Sequence, residues 1–147
     1  MSAQHLKNRH GDGIDLSTEE FEQFETQLRG AIVQPNDDDY DEARTVYNAT
    51  HDRRPALIVR AVDAADVMAA VNFARTHDLL LSIRGGGHSV PGFGTCDDGL
   101  VIDLGRMKGI RVDPERGTVR AQGGCTWGDL DHATHGFGMA TPGGVVS

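Results

Sequence analysis

The chain has 147 residues, enough for one domain whose core needs neither disulfides nor a metal. Hydrophobic residues make up 38% and charged residues 24%, which predicts a soluble globular domain, and no stretch approaches the ~20 apolar residues of a membrane-spanning helix. The formal net charge of -8 argues against nucleic acid as a partner, because such binding depends on Lys and Arg neutralising phosphates.

The acidity has a particular composition of sixteen Asp, twelve Arg and only two Lys. An Asp-rich, Lys-poor surface suits a high-salt cytoplasm, where screening weakens self-repulsion, and a GC-rich genome that favours Arg codons explains it equally well. The start of the chain lacks the apolar segment of a secretory signal, so we expect a cytoplasmic protein. Cys96 and Cys125 are then expected to be free thiols.

The first elements are predicted from capping and spacing. Residues 1–13 are polar, and residues 1–15 are expected to be a disordered lead-in. Ser17 and Glu20 form a capping box, which predicts a helix over 18–29 that ends at Gly30. The segments that follow are an acidic, turn-rich loop over 34–39 and a short helix over 40–47.

From Pro55 onward the pattern changes to short buried strands and amphipathic helices. Strands over 56–60 and 79–84 flank a helix over 64–76 that Asp63 can cap, a β-α-β unit that favours parallel pairing. The apolar stripe expected to face the core on this helix is Ala64, Val67, Met68, Val71 and Ala74. The remaining elements are a Gly-rich loop over 85–99, strands over 100–103, 109–112 and 118–122, and a helix over 127–134 capped by Thr126. The fold class is therefore α/β or α+β.

The Gly-rich loop carries the chemistry. Three glycines between Arg84 and His88 let the backbone turn with its N–H groups exposed, an arrangement suited to a pyrophosphate, and Arg84 and Ser89 can add side-chain donors. The dinucleotide fingerprint fails because Val90 stands at its third glycine, and the Walker loop fails because it requires Gly-Lys before a Ser or Thr. A mobile turn and a general nucleotide-phosphate binder both remain alternatives at this point.

A metal site on the last predicted helix is a weaker hypothesis. His132 and His135 lie three residues apart there, a spacing that two zinc ligands can use. No strong third ligand accompanies them, so a solvated helix face is the favoured interpretation.

The run from Arg84 to Ser89 resembles the flavin-attachment loop of FAD-linked oxidases of the vanillyl-alcohol oxidase superfamily, in the berberine bridge enzyme-like branch. Further stretches resemble other motifs of that family in the same order, namely residues 54–59, 101–104, 123–130 and 138–145. The match covers residues 37–147, and ordered motifs are more specific than any single loop. The resemblance implies the amino-terminal portion of a PCMH-type FAD-binding domain.

The resemblance also implies which residues hold FAD. His88 would bond through its imidazole to the 8α-methyl carbon of the flavin. The other implied cofactor-binding residues are Arg84 (through its backbone), Gly85, Gly86, Gly87, Ser89, Gly124, Thr126, Thr141, Gly143, Gly144 and Val145. Some relatives carry a second link from a Cys at the place of Thr141, so we expect a single covalent link here.

The implied function is a flavin-dependent oxidoreductase that oxidises an alcohol, a sugar or an amine-type small molecule. Because family members are considerably longer, we expect residues 16–147 to be the first part of the FAD-binding domain, inactive without the substrate domain and its catalytic base. The alternative is a non-catalytic fragment that folds or oligomerises without FAD. The partners we consider are a homo-oligomer or a missing carboxy-terminal half, with no nucleic acid and no membrane.

Overall fold

The computed structural model describes residues 4–144, which form eight strands and four helices. In chain order they are β1 (Gln4–Lys7), β2 (Gly13–Leu16), α1 (Thr18–Thr26), β3 (Ala31–Val33), α2 (Tyr40–Ala43), β4 (Leu57–Arg60), α3 (Ala64–Thr76), β5 (Leu81–Arg84), β6 (Leu100–Asp103), β7 (Ile110–Asp113), β8 (Thr118–Ala121) and α4 (Trp127–His135). The mixture of helices with a largely parallel sheet confirms the predicted fold class.

A four-stranded sheet in the order β3-β4-β6-β5 forms the centre of the fold. Strands β4 and β5 both run parallel to β6, which lies between them, while β3 pairs antiparallel with β4. Side chains alternate across the sheet, so Leu57 and Val59 contribute to one core and Ile58 to the other. The predicted β-α-β unit is therefore present, with a later strand inserted between its two strands.

Helix α3 has the predicted bounds and the predicted Asp63 cap, but the face that it buries matches the expected one only in part. Met68 is 65% exposed and Val71 is 36% exposed, whereas Asp66 and Ala70 are fully buried. Small alanines let the helix approach the sheet closely, and Phe73 stacks on Phe24 of α1 with ring centroids 3.9 Å apart. The predicted apolar stripe is correct at Val67 and Ala74, which pack in the core, and wrong at Ala64, Met68 and Val71, which are exposed. The buried Asp66 carboxylate turns the helix so that this part of the stripe faces away from the core.

Asp66 also explains why α1 is shorter than predicted. The capping box of Ser17 and Glu20 is present, but the helix ends at Thr26 instead of continuing to residue 29. The backbone amides of Arg29 and Gly30 donate instead to the Asp66 carboxylate, at 2.8 and 3.0 Å. A third amide, that of Val62, donates to the same carboxylate at 2.9 Å. The buried Asp66 side chain thus joins the segment after α1 to the turn that precedes α3.

From residue 4 onward the amino-terminal segment contains two strands, contrary to the disordered lead-in predicted over 1–15, whose first three residues lie outside the described part of the chain. Strands β1 and β2 form an antiparallel hairpin in which Leu6 pairs with Ile14. Leu6 and Leu16 are buried in the same core as α1 and α3. Two isolated leucines in a polar segment gave too weak a pattern to predict strands, and contact with the rest of the chain buries them.

Two smaller differences complete the comparison with the sequence. The short helix predicted over 40–47 is limited to α2, and β3 was not predicted at all. The Tyr40 hydroxyl donates to the Pro55 carbonyl at 2.7 Å, which fixes α2 beside β4. Within residues 4–144, no helix is both long and apolar enough to cross a membrane.

Replacing Asp66 with Ala should destabilise the chain strongly. The substitution leaves three backbone amides without their acceptor in a buried site, and each such loss costs about 1–3 kcal/mol. We expect the free energy of unfolding, measured by urea denaturation, to fall by at least ~3 kcal/mol. Asp131→Ala, at an exposed aspartate on α4, should change it by less than about 0.5 kcal/mol. Equal effects of the two substitutions would contradict the role of Asp66.

Leu6→Ala tests the amino-terminal hairpin. If Leu6 is part of the core, removing its side chain should lower the free energy of unfolding by about 2–5 kcal/mol. His5→Ala, at the exposed neighbouring position, is the matched control and should have little effect. A Leu6→Ala chain as stable as the control would instead support the prediction of a disordered lead-in.

Candidate functional site

The candidate site lies at the carboxyl ends of the parallel strands, where ligands of open α/β sheets bind. Arg84 ends β5 and Asp103 ends β6, and the Arg84 guanidinium donates to the Asp103 carboxylate at 2.9 Å. The same guanidinium donates to the carbonyls of Ala43 and Thr45, at 2.6 and 3.3 Å. Because these bonds occupy the buried Arg84 side chain, its expected role as a phosphate donor is wrong, and only the backbone role stays a prediction.

The glycines of the loop are required by their surroundings. A Cβ at Gly85 would lie 2.6 Å from the carbonyl oxygen of Gly123, and Gly87 has a φ of +74°, a conformation that side chains disfavour. In the described part of the chain, the amides of residues 86–89 make no hydrogen bond. Successive N–H groups without protein partners can donate to an anion such as a pyrophosphate.

His88 opens onto a cleft of about 470 Å³, within the range of small-molecule sites. The residues that line this cleft are Gly86, His88, Ala121, Gln122, Gly123, Cys125, Thr126, Trp127 and Leu130. The Gly-rich loop that leads to His88, the second Gly-rich turn and the start of α4 thus form one surface, although the first of them lies far from the other two along the chain. The structure therefore brings His88 and Thr126 together, as the family resemblance implied.

The second Gly-rich turn is held closely against the chain that follows β6. A Cβ at Gly124 would lie 1.9 Å from the Leu104 carbonyl oxygen, and the Gly124 amide donates to the Met107 carbonyl at 3.1 Å. Thr126 then caps α4 through a capping box with Asp129. A hydrogen bond from Lys108 lowers the pKa of Asp129 to about 2, so this carboxylate is charged throughout the physiological range.

The described part of the 138–145 motif contacts Trp127, which lines the cleft. A Cβ at Gly143 would lie 1.9 Å from the Trp127 ring, and one at Gly144 would lie 3.2 Å from its Nε1. Thr141 is half-buried, with its hydroxyl 3.4 Å from the Pro142 carbonyl. Val145 lies outside the described residues.

Ser89 contributes to the loop as well as to the donor surface. Its hydroxyl accepts a hydrogen bond from the Phe93 amide at 3.1 Å, and its carbonyl accepts one from the Gly92 amide at 3.0 Å. These bonds fold the chain back after His88. The hydroxyl proton of Ser89 makes no bond within residues 4–144 and stays available to a ligand.

Three residues beside the site were not predicted to belong to it. They are Trp127 and Cys125, which lie in the 123–130 motif but outside the implied cofactor-binding set, and Tyr47, at the end of the short helix predicted over 40–47. Cys125 lines the cleft, but its sulfur contacts the Met107 and Gly109 carbonyls. Trp127 could have been found, because it lies inside the 123–130 motif, whereas Tyr47 lies in no motif and meets His88 only in three dimensions.

The donor set fits a dinucleotide cofactor better than a metal. Free backbone amides and tightly packed glycines accommodate a phosphate without added bulk, and the cleft beside them is lined by Trp127 and Leu130 for an apolar ring system. Among residues 4–144, no group of three or more His, Cys, Asp or Glu side chains is placed to hold a metal ion.

Comparison with known proteins identifies the family. The model of the FAD binding domain family matches residues 55–146. The (R)-6-hydroxynicotine oxidase of Paenarthrobacter nicotinovorans is 35% identical over 118 residues, which cover 80% of this chain and 26% of that enzyme. The chain thus spans about a quarter of the length of this relative.

Solved structures agree with this assignment. The structure of 6-hydroxy-D-nicotine oxidase from Arthrobacter nicotinovorans matches with a TM-score of 0.72 and 35% identity, over 76% of this chain and 24% of that one. The berberine bridge enzyme-like protein 1 of Physcomitrella patens matches with a TM-score of 0.71 and 26% identity, over 78% and 25%. The chain belongs to the FAD binding domain family of FAD-linked oxidoreductases.

Proposed function

We propose that this chain binds FAD in the cleft beside His88 and bonds covalently to the flavin through the His88 imidazole alone. The observation that carries the proposal is the joint placement of His88, the free amides of residues 86–89 and the Trp127-lined cleft. Neutral imidazole is nucleophilic near pH 7, and the loop leaves that of His88 exposed. The structure thereby supports a tether next to a phosphate-binding surface.

Each part of the site has a separate role in this proposal. The amides of residues 86–89 and the Ser89 hydroxyl would donate to the pyrophosphate, while Gly124, Thr126, Thr141 and the 143–145 segment would line the rest of the cofactor. The bound flavin would supply the hydride chemistry of the reaction, and the protein would bind, orient and tune it. The implied backbone role of Arg84 fits its place at the start of the loop.

The covalent step balances with dioxygen as the oxidant. One imidazole N–H bond and one C–H bond of the 8α-methyl group are broken, one N–C bond is formed, and dioxygen is reduced to hydrogen peroxide. Thr141 cannot form a thioether at the place where some relatives carry a Cys, and the Cys125 sulfur faces backbone carbonyls. Both features favour a single link.

Substrate oxidation is assigned to the whole protein. The class we propose is the oxidation of an alcohol, a sugar or an amine-type small molecule, in keeping with relatives named as FAD-linked oxidoreductases. This chain spans about a quarter of such relatives, so we assign to it cofactor binding and not substrate selection.

Acid precipitation of the purified protein tests the covalent link. We expect the flavin absorbance to stay with the pellet of the unmodified chain and to be lost entirely from the pellet of His88→Ala, because only a covalent bond survives unfolding. His132→Ala, at an exposed histidine on α4, is the matched control and should keep its colour.

Two other results would contradict the proposal in different ways. Acid-stable flavin in His88→Ala would move the link to another side chain, with Cys125 the first to substitute. An unmodified chain that is colourless and does not take up added FAD would favour the alternative, a fragment that folds without the cofactor.

A further inference from the structure

The loop that carries His88 is held from one side by a single segment of the chain, residues 47–53. The Tyr47 amide donates to the Gly87 carbonyl at 3.2 Å. The His51 ring donates through Nε2 to the Val90 carbonyl at 2.8 Å, and Arg53 donates to the Gly92 carbonyl at 3.1 Å. Backbone positions on both sides of His88, at Gly87, Val90 and Gly92, are therefore held by contacts distant in sequence.

Tyr47 makes a second contact in this segment, with His88 itself. The two rings lie in contact, with their centroids 4.4 Å apart and their planes tilted by 42°. This separation is just below the range of about 4.5–7 Å that is typical of attractive aromatic pairs. The Tyr47 side chain is 73% exposed, and its hydroxyl makes no hydrogen bond in the described chain. Its one ring contact among the described residues is thus with the imidazole.

The backbone that carries these two exposed rings is held in place by a buried side chain, that of Arg84. Arg84 holds the carbonyls of Ala43 and Thr45, on the chain that leads into Tyr47, and Arg84 itself leads into the His88 loop. The chain that leads to Tyr47 and the chain that leads to His88 are therefore connected through Arg84. The pairing of the Tyr47 amide with the Gly87 carbonyl completes the connection.

An imidazole that must bond to a particular carbon needs a restricted orientation. His88 follows three glycines, whose backbone freedom leaves its side chain poorly determined by local structure. Effective bonding requires reacting atoms about 3–3.5 Å apart, and a misplacement of about 1 Å can slow a reaction by about 100-fold. A ring packed against one face of the imidazole removes part of that freedom before the cofactor arrives.

We propose that Tyr47 is a positioning residue for covalent flavin attachment, which holds the His88 imidazole in its bonding orientation through ring packing. The inference rests on the proposed function of His88. It assigns the effect to the aromatic ring and not to the hydroxyl, and it places Tyr47 outside the set of groups that bind the cofactor. The expected consequence is a change in the rate of attachment without a change in FAD affinity.

The test follows the appearance of acid-stable flavin after saturating FAD is added in air to the apo form of the full chain. Tyr47→Ala should slow the initial rate by about 10–100-fold. Tyr47→Phe keeps the ring and should stay within about twofold of the unmodified chain. Phe93→Ala is the matched control, since Phe93 is 74% exposed on the same loop and makes no ring contact among the described residues.

Affinity is measured separately, where no bond can form. The dissociation constant of FAD, from quenching of flavin fluorescence, should be the same for His88→Ala and for His88→Ala combined with Tyr47→Ala. Urea midpoints of the single variants should match that of the unmodified chain, because the Tyr47 side chain is mostly exposed.

The outcomes separate this inference from the function on which it rests. An unmodified chain without acid-stable flavin would overturn the His88 link itself. Attachment at the normal rate in Tyr47→Ala, or an equal loss in Tyr47→Phe, would overturn positioning by the ring while leaving the link intact. Weaker FAD binding in the double variant would make Tyr47 a cofactor contact instead.

Discussion

The buried ion pair of Arg84 and Asp103 is the interaction on which the rest of the site depends. Its side chains are 7% and 18% exposed, and removing one partner of such a pair leaves an uncompensated charge that typically costs about 3–5 kcal/mol. The pair joins the carboxyl ends of β5 and β6, from which the His88 loop and the turn after β6 begin. Arg84 also donates to the Ala43 and Thr45 carbonyls, so three stretches of chain take their positions from these contacts.

The candidate site also depends on the close approach of backbone segments to one another. Gly85 lies against the Gly123 carbonyl, and Gly124 lies against that of Leu104, so the two Gly-rich turns sit side by side. The amides of residues 86–89 make no hydrogen bond within the described part of the chain. Gly143 closes on the Trp127 ring, which brings the third loop to the same cleft. A surface built of backbone donors and one large aromatic ring suits a cofactor that carries both phosphates and a flat ring system.

Sequence patterns predicted those elements whose signals are local. The capping residues Ser17, Asp63 and Thr126 each begin a helix where expected, since a cap needs only a few neighbouring residues. The failures share one cause, which is that a distant contact decides them. Asp66 ends α1 early and turns α3, and Leu6 is buried by helices that follow it. Helical periodicity carries no information about either event.

The sequence by itself determined the motifs of this protein: a glycine run after a strand, one histidine at its end and further Gly-rich motifs in a fixed order. Those features are readable because glycine and histidine have properties that few other residues share. Only the tertiary structure decided that the Arg84 guanidinium bonds to Asp103 and to backbone carbonyls. It also decided that Trp127 lines the cleft and that the Tyr47 ring contacts His88. Each of these depends on side chains far apart in sequence, and their meeting is set by sheet register and core packing.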